Sequence, residues 1–237
     1  GNTLYGNNGH GIFLPNNFDC TIGDNVVVDS RRAALGLYVD DGGTLLQNHT
    51  ITSNTLVSTE PTRRIDRPEN LSHWWLPPYV EPDPVALEYD AAGHYGSMSH
   101  TTFVAPTTVG GVMRKKPGDA LFNTLGEWTA DAPWASAAGS LVNRANAILL
   151  FNDTEDAAVM AVPAGTWTRP DGTAVGTTIT LQPWQSAVLV TAAAVPLSPP
   201  YSAASGIDWR SETPVVSYLG DDGLIFGHGF ETGNTTA

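Results

Sequence analysis

Two adjacent carboxylates, Asp40 and Asp41, follow the short apolar run Gly36-Leu37-Tyr38-Val39. A carboxylate pair is what hydrolysis of a glycosidic bond requires: about 5 Å apart when configuration is retained, farther when it is inverted. The same oxygens suit Ca²⁺. Asp and Gly also favour turns, so "VDDGG" reads equally as an acidic corner. Arg31 and Arg32 precede the apolar run, and a guanidinium meets a carboxylate through two parallel hydrogen bonds. The competing reading is a solvated loop pair. His10, ahead of "GIFL", is the side chain whose ordinary pKa suits acid–base work near neutrality. Asp19 follows the Asn16-Asn17 turn. Trp74, Trp75 and Tyr79 stand in "SHWWLPPYV", a proline-stiffened stretch. Flat aromatic rings bury large area at small entropic cost and can stack on the apolar face of a sugar. A hydrophobic lid uses the same residues.

The elements that would carry these groups are repeated. Ile22, Asn25 and Val27 in "CTIGDNVVVDS" recur as Ile51, Asn54 and Leu56 in "HTITSNTLVST", and Asn2 and Leu4 match the end of a further copy. "GIFL" (11–14) and "GLYV" (36–39) form a second, interleaved repeat. Both periods lie in the twenties, the length of one turn of a β-solenoid. A stacked corner explains the asparagine. Asn tolerates the left-handed bend, and its amide can donate to one neighbour and accept from the next. The flanking aliphatic residues would point inward and stack. Under this pattern His49 is a corner residue, and His10 shares a face with Asp40 if the turns align. A β-sandwich with Asn-rich turns is the alternative.

Residues 60–98 break the period and read as a long aromatic insertion, the kind of loop that tends to be functional. "SMSHTTFVAP" resumes the pattern. "DALFNTLGEWTADAP" predicts one short helix with Asp119 as N-cap and Leu121, Leu125 and Trp128 on one face. Residues 141–192 read as successive antiparallel strands with a strong turn at Pro170-Asp171-Gly172. Trp128, Trp134, Trp167 and Trp184 are assigned to the core of these later segments. Residues 193–237 form a Pro/Ala/Ser linker and a tail.

Composition narrows the classes. The 237 residues carry a formal net charge of −13, and 15% are charged. An acidic field of this size opposes binding to nucleic acid or anionic lipid. No apolar run approaches the roughly 18 residues of a membrane span, so no membrane insertion is expected. The single cysteine, Cys20, rules out an intramolecular disulfide and a Cys-based zinc site, and reads as an inert core thiol. No metal site or cofactor motif is apparent. The chain opens at Gly1 inside a repeat, which reads as a piece of a longer protein.

The asparagine repeat with "GIFL" and "GLYV" resembles the right-handed parallel β-helix proteins, including pectate-lyase-like polysaccharide-degrading enzymes. The likeness covers residues 1–60 well and extends to about 140 through "SHTTFVAP" and "LFNTLGEW". "ITLQPWQSAVLV" is similar to the final strands of C-terminal β-domains in secreted glycoside hydrolases. "LIFGHGFETGNTTA", with Gly229, Phe230, Glu231 and Gly233, resembles a C-terminal motif of secreted proteobacterial proteins, although Asn234 stands where Asp is usual.

The resemblance implies an all-β chain. The last turns of a right-handed parallel β-helix (1–140) would be followed by a small antiparallel β-sandwich-like domain (141–192). It implies a secreted or surface-exposed bacterial protein, monomeric, with a polysaccharide as partner. Elimination would need a base at the sugar C5 proton and an Arg or Ca²⁺ at the uronate carboxylate. Hydrolysis would need two carboxylates. Asp19, Asp40, Asp41, His10, Arg31 and Arg32 are the candidates for these roles, and Trp74, Trp75 and Tyr79 for sugar stacking. A non-catalytic β-helix rod or a carbohydrate-binding module fits the same pattern, because fold does not dictate activity.

Overall fold

The structure is a computed structural model. It describes residues 1–5, 7, 10–30, 32–39, 46–58, 85–90, 93–105, 112–116, 120–143, 146–192 and 201–202. Among these the chain is all-β apart from one short α-helix and a 3-10 turn.

In chain order the strands begin with β1 (Thr3–Tyr5), β2 (His10–Pro15), β3 (Thr21–Gly23), β4 (Val26–Val28) and β5 (Ala33–Tyr38). Then come β6 (Leu46–Thr52), β7 (Thr55–Val57), β8 (Val85–Asp90), β9 (His94–Ala105), β10 (Met113–Lys116) and β11 (Ala120–Phe122). After α1 (Leu125–Asp131) come β12 (Ala137–Asn143), β13 (Asn146–Phe151), β14 (Ala158–Ala161) and β15 (Trp167–Thr168). The last are β16 (Ala174–Val175), β17 (Thr178–Leu181), β18 (Ser186–Thr191) and β19 (Tyr201–Ser202).

Two parallel ladders alternate along the first part of the chain. One joins β2, β5, β8 and β10, with β11 added antiparallel at its edge. The other joins β1, β4 and β7, and β3 and β6, to the long strand β9, which also pairs with β12. The repeat read from the sequence fixes the register. Ile22 pairs with Ile51, and Val27 pairs with Leu56. Leu4 pairs with Val27, and Ile51 with Met98. These side chains meet Leu35, Leu37, Leu87 and Phe103 in one buried core between the ladders. Parallel strands need both faces covered, and near-continuous aliphatic runs such as "AALGLY" and "VALEYD" supply the apolar side.

The corners carry the polar bonds. Asn25 Nδ2 donates to Asn54 Oδ1 at 2.9 Å, and Asn2 Nδ2 donates to Asn25 Oδ1 at 3.1 Å. The left-handed bend, however, falls one residue earlier than the sequence suggested: Asp24 (φ 58) and Ser53 (φ 56) adopt it. The asparagines serve as ladder rungs, with Asn54 Nδ2 also donating to Ile22 O at 2.9 Å. Thr101 follows the next left-handed residue, His100 (φ 50), and the asparagine run stops there.

Three predictions are corrected. Residues 85–98, assigned to the insertion, hold β8 and the start of β9, both in the ladders. The helix is shorter than expected. Ala120–Phe122 is a strand, Leu121 is exposed, and Thr124 is the N-cap, its hydroxyl accepting from Glu127 N at 3.2 Å. Trp184, assigned to the core, is 69% exposed. Trp128 is fully buried and, with Trp134, Tyr89, Tyr95 and Phe103, makes an edge-to-face aromatic cluster at the helix end of the core. Tyr89 donates to Asp131 Oδ2 at 2.7 Å and so ties the helix to the ladder. Cys20 is a free, partly buried thiol packed against the core.

The later strands form separate sheets. β13 and β15 pair antiparallel with β18, and β14 with β17, around Ile148, Leu150, Trp167, Ile179 and Leu189. The Pro170 turn closes with Gly172 N donating to Arg169 O at 2.9 Å. A further apolar cluster joins the two halves: Val28, Val57 and Val104 pack with Ala147, Leu149, Val188 and Val190. Apart from β19, residues 193–237 and the tail motif lie outside the described residues.

Candidate functional site

Alternation along a strand sends successive side chains to opposite faces. On β2, β5, β8 and β10 the core takes Ile12, Leu35, Leu37, Leu87, Tyr89 and Met113. The opposite face therefore carries Phe13, Gly36, Glu88 and Arg114, which the pairing lines up as one column across the four strands.

Glu88 is its centre. The residue is 0% exposed, and a buried carboxylate is tolerated only when paired. Arg114 Nη1 donates to Oε2 at 2.7 Å, and Arg32 donates to Oε1 through Nη2 at 2.9 Å and Nε at 3.1 Å. Burial pushes the carboxyl up, but the nearby His10 ring and the two guanidiniums pull it down further, to about 2. His10 Nε2 stands 3.8 Å from Oε1, beyond hydrogen-bonding range, so the guanidiniums do most of the holding. Glu88 is therefore a fixed anion and has no proton to donate near neutrality.

Around this ion cluster lies an aromatic one. The His10 ring stacks on Phe13, with centroids 4.6 Å apart and planes 14° from parallel. Tyr38 meets both rings edge-on, at 5.4 Å from His10 and 5.1 Å from Phe13. Its hydroxyl accepts from Arg32 Nη2 at 2.9 Å. Gly36 is required beneath: a Cβ there would come within 2.4 Å of the His10 ring. The His10 side chain is only 10% exposed, and its Nε2 has no hydrogen-bond partner. Phe13, at 45% exposed, opens the cluster to solvent.

Of the residues singled out from the sequence, the structure brings His10 and Arg32 together. Asp19 is elsewhere, at the exposed left-handed corner between β2 and β3 (φ 51), where its carboxylate accepts from Asn48 Nδ2 at 2.9 Å. Arg31, Asp40, Asp41, Trp74, Trp75 and Tyr79 lie outside the described residues. His49 is a corner residue inside the molecule. Its Nδ1 accepts from Cys20 N at 3.2 Å, which leaves the Nε2 proton for Gln47 Oε1 at 3.2 Å. Burial lowers its pKa despite the opposing Asp19 charge.

Glu88, Arg114, Phe13 and Tyr38 were not singled out from the sequence. A signal existed: Glu88 follows the apolar Val85-Ala86-Leu87, Arg114 follows Val112-Met113, and the two are 26 residues apart, one period of the repeat. Among the described residues, no group of three or more His, Cys, Asp or Glu side chains is placed to hold a metal ion. No described helix is long and apolar enough to cross a membrane. No protein-family model, curated protein or solved structure matches the chain.

Proposed function

We propose that this chain is part of a secreted polysaccharide-acting protein, and that the face carrying His10, Phe13, Tyr38 and Arg32 is one wall of its glycan groove. In this reading the two parallel ladders are faces of a right-handed parallel β-helix, each built from the strands of successive turns. The in-register repeat and the asparagine rungs support it. The observation that carries the functional reading is the ring cluster. Phe13 is exposed, its orientation is fixed by stacking on His10 and by the edge of Tyr38, and a guanidinium lies alongside. A pre-oriented ring stacks on a sugar with little loss of freedom on binding.

The residues have distinct parts in this account. Phe13 stacks on a pyranose ring. Tyr38 and Arg32 face its hydroxyls or carboxylate. Glu88 and Arg114 hold Arg32 in place from behind. His10 Nε2 is buried and faces Glu88 Oε1 at 3.8 Å, so in this account the His10 ring orients Phe13 by stacking and moves no proton. Cleavage by hydrolysis needs two carboxylates, and Glu88 is too deeply buried to be either. Bond breaking in this reading falls to acidic residues elsewhere, such as Asp40 and Asp41.

A glycan screen tests the reading. The full chain is incubated with neutral and acidic polysaccharides, and both new reducing ends and the ultraviolet absorbance of an unsaturated uronate are followed. Reducing ends with that absorbance mean elimination; reducing ends alone mean hydrolysis. Binding without either signal leaves a recognition module. Neither binding nor cleavage across the screen rejects the proposal.

A further inference from the structure

We propose that Trp184 is the stacking platform of a second glycan site, one selective for uncharged sugar chains. The inference rests on the reading that this protein handles polysaccharide, and it adds both a site and a substrate class.

The chain passes from β17 to β18, and so from one sheet to another, through Gln182-Pro183-Trp184-Gln185. Gln185 N donates to Gln182 O at 3.0 Å, and Gln182 N donates to Gln185 Oε1 at 2.9 Å. Trp184 sits third in this turn with φ 59. That position with positive φ, after a proline, is one where Gly or Asn is usual. A bulky residue held there is strained, and such strain marks places where a side chain serves something other than packing. Packing does not explain the indole, since it is 69% exposed.

The turn is anchored from below. Asn152 is 1% exposed, and its Nδ2 lies at hydrogen-bonding distance from Leu181 O, Gln182 O and Asp156 O, at 3.1, 3.0 and 2.7 Å. Its backbone N donates to Gln185 O at 2.8 Å. The ring is therefore presented on a rigid support, and the loop 152–156 is drawn up beside it.

The surrounding chemistry selects the ligand. Beside the indole the turn exposes Pro183 and two amides, Gln182 and Gln185. The adjoining loop adds Asp153, Glu155 and Asp156. Residues 146–162 and 176–192 contain no Lys, Arg or His. Amides and carboxylates hydrogen-bond sugar hydroxyls, while the acidic loop repels uronates, nucleic acid and anionic lipid. A neutral hexose or pentose chain meets both conditions, with its apolar face on the indole.

Isothermal titration of the full chain with cellohexaose, xylohexaose, mannohexaose and an oligogalacturonate tests this. Trp184→Ala, Trp184→Gly, Trp184→Phe, Phe13→Ala and Phe18→Ala are compared with the parent. The expected result is binding of at least one neutral oligosaccharide, weakened about tenfold or more by Trp184→Ala and Trp184→Gly. Trp184→Phe should retain most of it, and Phe18→Ala, an exposed ring on the corner between β2 and β3, all of it. Trp184→Gly guards against misfolding, because glycine adopts this φ freely and should melt no lower than the parent. Neutral binding that survives Trp184→Ala overturns the inference. So does a chain that binds only oligogalacturonate, and if Phe13→Ala then abolishes that binding, the groove reading stands alone. Neutral binding lost in the Trp184 variants but untouched by Phe13→Ala keeps this site and removes the groove assignment. No binding to any of the four rejects both. Self-association abolished by Trp184→Ala would assign the ring to a protein contact instead.

Discussion

Arg114 and Glu88 stand in register on neighbouring parallel strands, and Arg114 Nη1 donates to Glu88 Oε2 at 2.7 Å with both side chains shielded from water. Two charges out of water are costly unless paired, and removing one partner strands the other. Glu88→Gln leaves Arg32 and Arg114 without their shared anion. We expect it to lower unfolding free energy by about 3–5 kcal/mol, measured by urea titration monitored by circular dichroism. The double variant Glu88→Gln/Arg114→Met should lose less than the two single losses combined, because the pair is coupled.

Stability should fall on acidification in two steps. His49 is held neutral by burial. Its folded pKa lies below the unfolded value, so the unfolded chain binds the extra proton first. Its contribution is complete above the ordinary histidine value of about 6.5 and declines as pH drops below it. Glu88 has the depressed carboxyl, about 2 against its ordinary value of 4.5. Its contribution is complete above the unfolded pKa and is lost as pH falls from about 4.5 towards 2, worth about 3 kcal/mol over that span. Melting temperature followed from pH 8 to pH 3 checks both. In His49→Gln the first decline should vanish and the second remain.

The asparagine rungs should behave as one unit. Asn25 Oδ1 accepts from Asn2 N and Nδ2, and Asn54 Oδ1 accepts from Asn25 N and Nδ2. Asn25→Ala removes the middle of the ladder and leaves polar atoms buried beside it. The expected cost is about 2 kcal/mol. Asn2→Ala, at the exposed end, should cost well under half of that. Thermal melts of the two variants separate the cases.

The two halves of the chain should unfold together. Val57 is fully buried in the cluster that includes Val188 and Val190 of β18. A charge there has no partner, so Val57→Asp should uncouple the halves and cost about 3 kcal/mol or more. Calorimetry should show one transition in the parent and two in the variant. A single transition in both would place the cooperativity elsewhere.

Much of the ladder that joins β3 to β6 and β4 to β7 was legible because a repeat states its own register. Once Ile22 and Ile51, or Val27 and Leu56, are matched by type and spacing, stacking follows. The turn position was less legible. Asp24 and Ser53 take the left-handed bend that the sequence assigned to their asparagine neighbours, since Asp and Ser give no stronger signal for it than Asn. β8 was hidden because the proline- and arginine-rich run before it drew "VALEYD" into the same loop. The centre of the site was missed for a related reason. Sequence reading looks for reactive groups at corners, whereas Glu88 and Arg114 lie mid-strand and meet only through long-range register. His10 and Arg32 were found by type, but their common partner was not. Trp184 was placed in the core by its residue class, and only its turn geometry puts it outside.

The central claim is that the face around Phe13 recognises sugar. The measurement that tests it most directly is the affinity of the full chain for the polysaccharide ranked highest in the glycan screen, compared with that of Phe13→Ala. The account predicts binding that weakens about tenfold on loss of the ring, with melting temperature little changed because Phe13 is 45% exposed. Equal affinity in the two proteins would contradict it.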